Sequence, residues 1–540
     1  MKIFDRIAGA LGYSRIEHRA DNGGGYNGGS VTSRGMTNWN PLLTSPNAAV
    51  TRDRSRIIAR SRDMLRNAPI ARGAVLKKAG KVVGTGLAYH SRIDADALGM
   101  TEDAAEEWQE KAEREFGYIA SECDITAEAD FYEQQYLAFL AAMDGDVLVT
   151  FPAVKRPGNV YATKIQLIEG DRVSNPDGVL DTPTLTAGIE YDRWGAVVAY
   201  HVLNQHPGEI SSKIPKRWDR IEAVAPTTGR RVARLLYVRE RVGQVRGMPM
   251  VAPLLEPLHK LDKFADSTLM NAIVSSMFTV FIETPGDGIG GLPLPGENNQ
   301  DTDAPTSERN IRMGPAAVME LPPGYRPQFA NPSNPNQNFD PFFLAYVRQM
   351  AMALETPYEV LMGVYNSSYS ASRAALLDAW TVWKRFRAWL VTGMCQPFLE
   401  AWMDEAVAFG RLDAPGYFDD PAIRRAYLGS EWIGDAPGSL DPLKEAQAAV
   451  LKIEKNLSTH ATEIASMSGS SWRDTIRQRA RENKELLAAG LSASAQPGTS
   501  PSPAPSNSGD TTTDNQDGGS GGNTDGNQDD SSDDNQDGNS

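Results

Sequence analysis

Cysteine and histidine are scarce in this chain, which has only two cysteines and six histidines among 540 residues. Cys123 and Cys395 supply neither a disulfide framework nor a zinc-binding set, a usage typical of a protein made in a reducing compartment. No apolar run reaches the ~18 residues that span a bilayer, and residues 1–11 lack the apolar core of a signal peptide. These absences predict a cytosolic product with no membrane partner.

The sequence motifs of common enzyme classes are also missing. No GxxxxGK(S/T) phosphate-binding loop is present, so the chain is not expected to be an ATP-driven motor, and the zinc motif HExxH is absent. Gly286, Gly288 and Gly291 spell GxGxxG, but the proline-rich run that follows cannot open the helix that a dinucleotide site needs. The sequence therefore predicts no catalytic residue and no cofactor.

Two groups of residues could bind a metal. Asp144 and Asp146 flank a glycine at a turn between a predicted helix and a predicted strand, and such a turn needs no metal. With Asp171 they could still compose a two-metal nuclease site. His201 and His206 lie on and just beyond a predicted strand without an evident third ligand, so we interpret them as ordinary strand and loop residues.

Residues 491–540 contain no lysine, arginine or aromatic residue. They are almost wholly Gly, Ser, Asn, Gln, Pro, Thr, Ala and Asp, and such a segment cannot bury enough apolar surface to fold. We expect a disordered acidic tail, whose nine aspartates reduce the formal charge of −15 to −6 for the rest of the chain. A mildly acidic body is not typical of a tight duplex-DNA binder, whose affinity comes from neutralising phosphates.

Helical periodicity dominates the second half of the chain. Asp340 and Pro341 provide an N-cap acceptor and a proline at the first helical position, and they predict a helix that ends near Pro357. A longer pattern, 370–410, is interrupted only by Pro397, so it predicts one long kinked helix or two abutting helices. The stretch between these patterns is uncharged and rich in hydroxyl groups, which indicates an exposed loop.

Elsewhere, helix and strand patterns are mixed. Residues 101–120 and 131–142 predict helices, 147–151 predicts a half-buried strand, and 188–203 predicts a β-hairpin. Arginines crowd the segment 51–66, which is either a basic face near nucleic acid or a solvated helix face with ion pairs between subunits. We favour the second interpretation. The chain is thus expected to be α+β and rich in helices.

Five phrases in the sequence resemble the portal proteins of tailed double-stranded DNA phages, in the lambda-type family. They are IEGDRVSNP at 168–176, GIEYDRWGAVVAYHVL at 188–203, GQVRGMP at 243–249, SYSASR at 368–373 before a tryptophan-rich helix, and DPLKEA at 441–446. Relatives often place a proline where Val242 stands, which is a small departure. The resemblance covers about residues 54–490.

This resemblance implies a portal-like protomer, with an α+β, helix-rich fold divided into a wing, a stem, a clip and a crown. The implied segments are a flexible N-terminal arm 1–50, the wing 51–250, a first stem helix 251–276, the clip 277–338, a second stem helix 339–362, a tunnel loop 363–371, a long wing helix and return 372–438, a helical crown 439–490 and the disordered acidic tail 491–540.

It also implies a ring, usually dodecameric, at one capsid vertex of a virion and assembled in the host cytoplasm. Double-stranded DNA would pass through this channel non-specifically during genome packaging and ejection. The implied partners are further copies of the chain, the terminase large subunit, head-tail connector or neck proteins, and the major capsid and scaffold proteins.

The resemblance assigns three groups of residues to this role. The tunnel loop that would meet DNA contains Tyr365, Asn366, Ser367, Ser368, Tyr369 and Ser370. The stem would line the channel with Lys260, Lys263 and Arg348. The clip would dock terminase and neck proteins through Asp287, Glu297, Asp301, Asp303 and Glu308. No catalytic residue, metal or cofactor is implied.

Other interpretations stay open at this point. A non-portal structural component of the virion would also lack catalysis, but it would form no closed ring with an axial channel. A metal-dependent nuclease would cleave DNA through Asp144 and Asp146. The predicted loop could equally serve only to connect two helices.

Overall fold

The computed structural model describes residues 36, 38–209, 213–276, 280–283, 318–321, 339–364, 368–438 and 441–491. The predictions for residues 1–35, for most of the clip and for the acidic tail beyond Leu491 lie outside these ranges. The chain divides into two units, Met1–Ile476 and Arg477–Ser540, and in the second the described residues continue the last helix.

Helices dominate the described chain, which confirms the predicted helix-rich α+β class. The first half contains α1 (Pro46–Thr51), α2 (Arg54–Asn67), α3 (Pro69–Val82), α4 (Ala95–Leu98), α5 (Glu102–Glu122) and α6 (Phe131–Met143). The second half contains α7 (Leu255–Ser276), α8 (Phe339–Ala353), α9 (Tyr358–Met362), α10 (Tyr369–Leu390), α11 (Gln396–Ala408), α12 (Pro421–Tyr427), α13 (Pro442–Glu454), α14 (His460–Ser468) and α15 (Trp472–Ala488). None of these helices is long and apolar enough to cross a lipid bilayer.

Short strands form four small sheets in the described chain. They are β1 (Ala88–Ser91), β2 (Val147–Thr150), β3 (Gln166–Glu169), β4 (Leu185–Thr186), β5 (Ile189–Tyr191), β6 (Val197–Leu203), β7 (Trp218–Glu222), β8 (Ala233–Leu236), β9 (Val280–Glu283), β10 (Val318–Leu321) and β11 (Ser430–Ile433). One antiparallel sheet has the order β3-β2-β8, and a second has the order β4-β5-β6-β7, which contains the predicted hairpin. The pair β1-β11 is antiparallel, and the pair β9-β10 is parallel.

The main core is rich in aromatic side chains. Phe131 stacks on Phe398 with ring centres 5.1 Å apart, and Phe116 meets Trp402 edge-on at 5.2 Å. Trp402 is fully buried in this cluster. Since aromatic side chains bury large areas and pack in defined geometries, these contacts fix α5, α6 and α11 against one another.

The segment 370–410, for which the sequence predicted one kinked helix or two abutting helices, is helical without a gap from Tyr369 to Ala408. A π-helical turn, Val391–Cys395, joins α10 to α11. Pro397 lies just after this turn, where its ring would clash with the carbonyl of Gly393 in a regular α-helix. The wider turn absorbs one extra residue and accommodates the proline. The structure therefore selects one interrupted helix from the two predicted alternatives.

The two helices on either side of the predicted clip pack together. Phe264 of α7 stacks on Phe339 at 5.6 Å and meets the ring of Phe342 at 4.9 Å, both on α8. The predicted helix ending near Pro357 is shorter than expected, because Glu355 has φ +49° and breaks the helical path. The chain resumes as the short helix α9.

Candidate functional site

A turn over residues 243–249, in which Gln244 and Arg246 are buried, leads from the end of β8 towards α7. The side-chain oxygen of Gln244 accepts hydrogen bonds from the backbone N–H groups of Glu240 at 3.0 Å and Arg241 at 3.1 Å. Its side-chain nitrogen donates to the carbonyl of Arg246 at 2.9 Å. Gln244 therefore supplies hydrogen bonds that no neighbouring strand provides here, and it fixes the path by which the chain approaches α7.

The guanidinium of Arg246 is buried opposite Asp146. Its Nε donates to Oδ2 of Asp146 at 2.7 Å and its Nη2 donates to Oδ1 at 3.0 Å, while Gly247 N–H also donates to Oδ2 at 3.0 Å. Nη1 donates to the carbonyls of Val173 at 2.7 Å and Ala187 at 3.0 Å. Burial raises the pKa of Asp146, but the Arg246 charge and hydrogen bonds outweigh it and hold the pKa below its ordinary value.

Two arginines of α2 extend this pair into a network. Arg54 Nη2 donates to Asp146 at 2.6 Å, and burial together with a neighbouring guanidinium lowers the pKa of Arg54 to about 10. Arg62 lies 2.7 Å from Asp144 and 2.7 Å from Asp171. The expectation of ion pairs between subunits is therefore wrong for Arg54 and Arg62, because α2 packs against the turn that carries both aspartates.

Close approach of two turns requires glycine at position 247. A Cβ there would lie 1.8 Å from the carbonyl oxygen of Gly145 and 2.6 Å from Cβ of Tyr237. Non-bonded atoms do not approach so closely, so any other residue would separate the turns. The phrase GQVRGMP thus encodes an internal lock: Gln244 shapes the turn, Arg246 pairs with Asp146, and Gly247 permits the contact.

The same network determines how the three candidate nuclease carboxylates are used. Asp144, Asp146 and Asp171 each face a guanidinium group within ion-pair distance. A two-metal site needs carboxylate oxygens that are open to the cations. In this arrangement the oxygens serve arginine, so an ion-pair network explains these aspartates better than a nuclease centre does.

A second candidate metal set consists of Glu169, Asp171 and His206, whose ligand atoms lie within 4.8 Å of one another. The sequence indicated no third ligand near His201 and His206, but in the structure Nε2 of His206 lies 3.4 Å from Glu169 and 3.5 Å from Asp171. However, Nδ1 accepts the N–H of Gly208 at 3.0 Å, so in the neutral ring Nε2 carries the proton. A metal needs the lone pair of Nε2, and this tautomer offers a hydrogen-bond donor instead.

His201 takes no part in that set. Its Nε2 lies 3.4 Å from a different carboxylate, that of Glu190, on the neighbouring strand β5. The two histidines therefore contact separate carboxylates, which agrees with their interpretation as strand and loop residues.

The residues predicted to line a channel lie on the exposed surfaces of α7 and α8. Lys260 on α7 pairs with Glu256 one turn earlier at 2.5 Å, and Lys263 is exposed on the same helix. Arg348 on α8 is exposed, with its guanidinium 5.2 Å from the ring centre of Tyr358. The structure places these cations on two helices that pack together, and their position on a channel wall stays a prediction.

Only the ends of the predicted tunnel loop fall within the described residues. Helix α9 is followed by Gly363 with φ +70°, and α10 begins directly after the exposed Ser368. The predicted loop residues Tyr365, Asn366 and Ser367 lie outside the described residues. Tyr369 and Ser370 belong to α10, but their side chains are not described. The clip residues Asp287, Glu297, Asp301, Asp303 and Glu308 also lie outside the described residues.

Sequence reasoning missed two lysines that hold the base of this loop. Lys77 Nζ donates to the carbonyl of Leu361 in α9 at 2.8 Å. Lys78, only 1% exposed, donates to the carbonyl of Leu354 just beyond α8 at 2.7 Å, and its Nζ lies 4.4 Å from the ring centre of Phe386 in α10. Burial lowers the pKa of Lys78 to about 8. The available signal was a Lys-Lys pair within a largely apolar helix.

Comparison with known proteins gives consistent matches. A family model described as "Phage portal protein, lambda family" matches residues 32–387. The portal protein of Escherichia phage N15 is 28% identical over 499 residues, which cover 87% of this chain and 92% of that protein. Portal protein B of Escherichia phage lambda is 27% identical over 495 residues, covering 87% and 91%. A chain from the solved neck of an empty GTA particle covers 74% of this chain and 99% of its own length, at 15% identity and a TM-score of 0.36.

Proposed function

The chain belongs to the lambda family of phage portal proteins, and from this premise we propose that it forms a dodecameric ring at one capsid vertex. Portal proteins are structural components of the virion that form rings and connect the capsid with the neck. The finer proposal is that this ring conducts double-stranded DNA during packaging and ejection. It would dock the terminase large subunit first and neck proteins later, and it would assemble in the host cytoplasm with the major capsid and scaffold proteins.

The ring proposal rests on exposed apolar side chains in the C-terminal half of α7. Leu269 and Met270 are 62% and 63% exposed, whereas Leu258 and Leu261 in the first half of the helix are buried within the chain. Neighbouring exposed apolar side chains mark interaction surfaces, because leaving them in water costs free energy. A neighbouring copy of the stem would cover them.

A channel for DNA must bind the passing duplex only weakly, and the composition of the predicted tunnel loop fits this requirement. Every phosphate that a conduit neutralises adds salt-dependent affinity, which would resist movement of the DNA. Residues 363–371 carry no charge, and the Lys260 ammonium is paired with a carboxylate. We therefore assign transient DNA contact to Tyr365, Tyr369 and their polar neighbours, with Lys263 and Arg348 on the channel wall.

Imaging and mass measurement of the purified chain test the ring. Negative-stain images should show closed rings with a central hole wide enough for a DNA duplex, and native mass spectrometry should give a dodecamer. A defined small oligomer without an axial channel would reject the ring and favour a different structural role in the virion.

Two variants test the finer assignments. Tyr365→Ala combined with Tyr369→Ala should alter DNA packaging, retention or ejection in assembled particles. Unchanged values for all three would mean that the loop only connects two helices. Deletion of residues 288–306 should weaken docking of terminase or neck proteins while rings still form, and intact docking would contradict the role of the clip.

A further inference from the structure

A cleft of about 1140 Å³ opens between β8, the turn before α7 and α10. Its wall carries four arginines and two glutamates, so the lining has an excess of positive charge. One pair is internal, since Arg385 lies 2.7 Å from Glu355. The remaining arginines are Arg231, Arg234 and Arg239, and we call the region that they line the arginine cleft.

The three arginines of the cleft are only partly balanced within the described chain, by Glu240 in the same lining and by the Glu400 carboxylate, which interacts with Arg231 at longer range. None of the three arginines has a described carboxylate within ion-pair distance. Arg234 Nη1 donates to the carbonyl of Thr392 at 2.8 Å, and Arg239 Nη2 donates to the hydroxyl of Tyr237 at 3.1 Å. Burial, then Arg231 and Arg239, lower the pKa of Arg234. The guanidinium groups therefore repel one another, and an anionic partner would relieve that repulsion.

We propose that the arginine cleft receives an acidic surface from the neighbouring copy of this chain in the ring. This inference rests on the ring proposed above. Copies in a ring meet head to tail, so each chain must present two different surfaces that complement each other. The arginine cleft supplies one of them.

The complementary surface is the acidic start of α5. Glu102, Asp103 and Glu107 are all exposed within the first two turns of that helix, and Glu106 beside them pairs with Arg473 of the same chain at 3.8 Å. No residue of α5 lines the arginine cleft, so the two surfaces do not neutralise each other within one chain. We call this group the acidic face. A neighbouring copy can bring it to the cleft, and opposite charges would then fix the register of the contact.

Charge also distinguishes this partner from DNA. Three unpaired arginines facing the channel would bind phosphates and hold the duplex, which works against passage. At a contact between subunits the same charges would add specificity and a faster encounter without hindering the cargo. The observations therefore favour a protein surface as the occupant.

A charge-exchange experiment tests the pairing. The cleft variant combines Arg231→Glu, Arg234→Glu and Arg239→Glu, and the face variant combines Glu102→Arg, Asp103→Arg and Glu107→Arg. Each variant alone should lose ring formation by about tenfold or more relative to the wild type, because like charges then face each other. An equimolar mixture should recover closed rings in which the two chains alternate. Native mass spectrometry would then show equal numbers of both chains.

The outcomes separate this inference from the ring proposal. If the wild-type chain forms no ring, the proposed ring is rejected, and the pairing that rests on it is rejected with it. If wild-type rings form and either variant alone also forms them normally, the pairing is overturned. If the cleft variant forms normal rings but loses retention of short duplex DNA, the cleft serves phosphates instead.

Folding controls keep the test decisive. Circular dichroism of each variant must match the wild type before assembly is compared. If the triple cleft variant does not fold, the single change Arg239→Glu takes its place, because Arg239 is exposed. That change should still slow ring assembly, and a matched single change in the acidic face, Glu107→Arg, should restore the rate in a mixture. Failure of the mixture to assemble from two folded variants would contradict the pairing.

Discussion

Replacing the buried Lys78 tests how the base of the predicted tunnel loop is held. We predict that Lys78→Met leaves the chain at least as stable as the wild type at neutral pH. Methionine matches the apolar length of lysine, and the carbonyl of Leu354 keeps a partner, since Thr356 Oγ1 also donates to it at 3.1 Å. Removing a buried charge whose acceptor stays bonded is commonly neutral or stabilising.

The size of the effect follows from the pKa of Lys78. Burial lowers this pKa from 10.5 to about 8. Since one pKa unit corresponds to about 1.4 kcal/mol, the charged side chain costs the folded state on the order of 3 kcal/mol. Between about pH 8 and 10.5 the unfolded chain binds this proton and the folded chain does not, so wild-type stability rises with pH. Below about pH 8 both states are charged and the cost is constant.

Comparing the wild type with Lys78→Met separates the contribution of Lys78 ionisation to the free energy of unfolding from the contributions of other titrating groups. Any advantage of the variant in the free energy of unfolding should shrink by roughly 2–3 kcal/mol between about pH 7.5 and 10.5. Urea denaturation followed by circular dichroism measures it, and Lys81→Met, at an exposed position on the same helix, controls for the loss of one charge. A difference independent of pH would refute the reasoning, as would a large destabilisation by Lys78→Met at neutral pH.

Two further predictions concern the internal lock. Arg246→Met should lower the free energy of unfolding by about 3–5 kcal/mol, because it removes the main partner of a buried carboxylate. Arg54→Met should cost about 1 kcal/mol, since Arg246 still pairs with Asp146; equal costs in urea denaturation would contradict this ranking. Gly247→Ala should lower the thermal unfolding temperature strongly, because the new Cβ would lie 1.8 Å from a carbonyl oxygen. Gly117→Ala, which meets no atom within 4 Å, is the matched control, and similar losses for both would argue against the steric cause.

Local signals in the sequence predicted the helices well. Asp130 accepts the N–H of Glu133 at 2.8 Å at the start of α6, and Asp441 accepts the N–H of Lys444 at 3.3 Å at the start of α13. These caps act within one turn, so the residue order alone contains them. By contrast, the short helix α14 was missed, because its nine residues hold too few apolar positions to show a period.

Contacts between distant segments could not be predicted in this way. Strand β1 pairs with β11, so that Ala88 lies opposite Ile433. The sequence of neither strand indicates which other strand it pairs with. The ion pair of Arg246 with Asp146 likewise joins residues 100 positions apart. In both cases the partners meet because the cores around them pack, and the sequence of one segment says nothing about the other. The portal resemblance indicated that the phrase around Arg246 matters, but not that its role is internal.

Helix α3 links the three elements that surround the predicted tunnel loop. Lys77 binds the end of α9, while Lys78 binds the residue after α8 and lies against Phe386 of α10. A shift of α8 along its axis would therefore either break the hydrogen bond from Lys78 to Leu354 or move Lys78 together with the Phe386 ring that it contacts. Because burial makes this lysine costly to charge, its contacts with two helices do not add to stability at neutral pH. The geometry makes α3 the physical connection between α8 and α10, the long helix that follows the predicted loop.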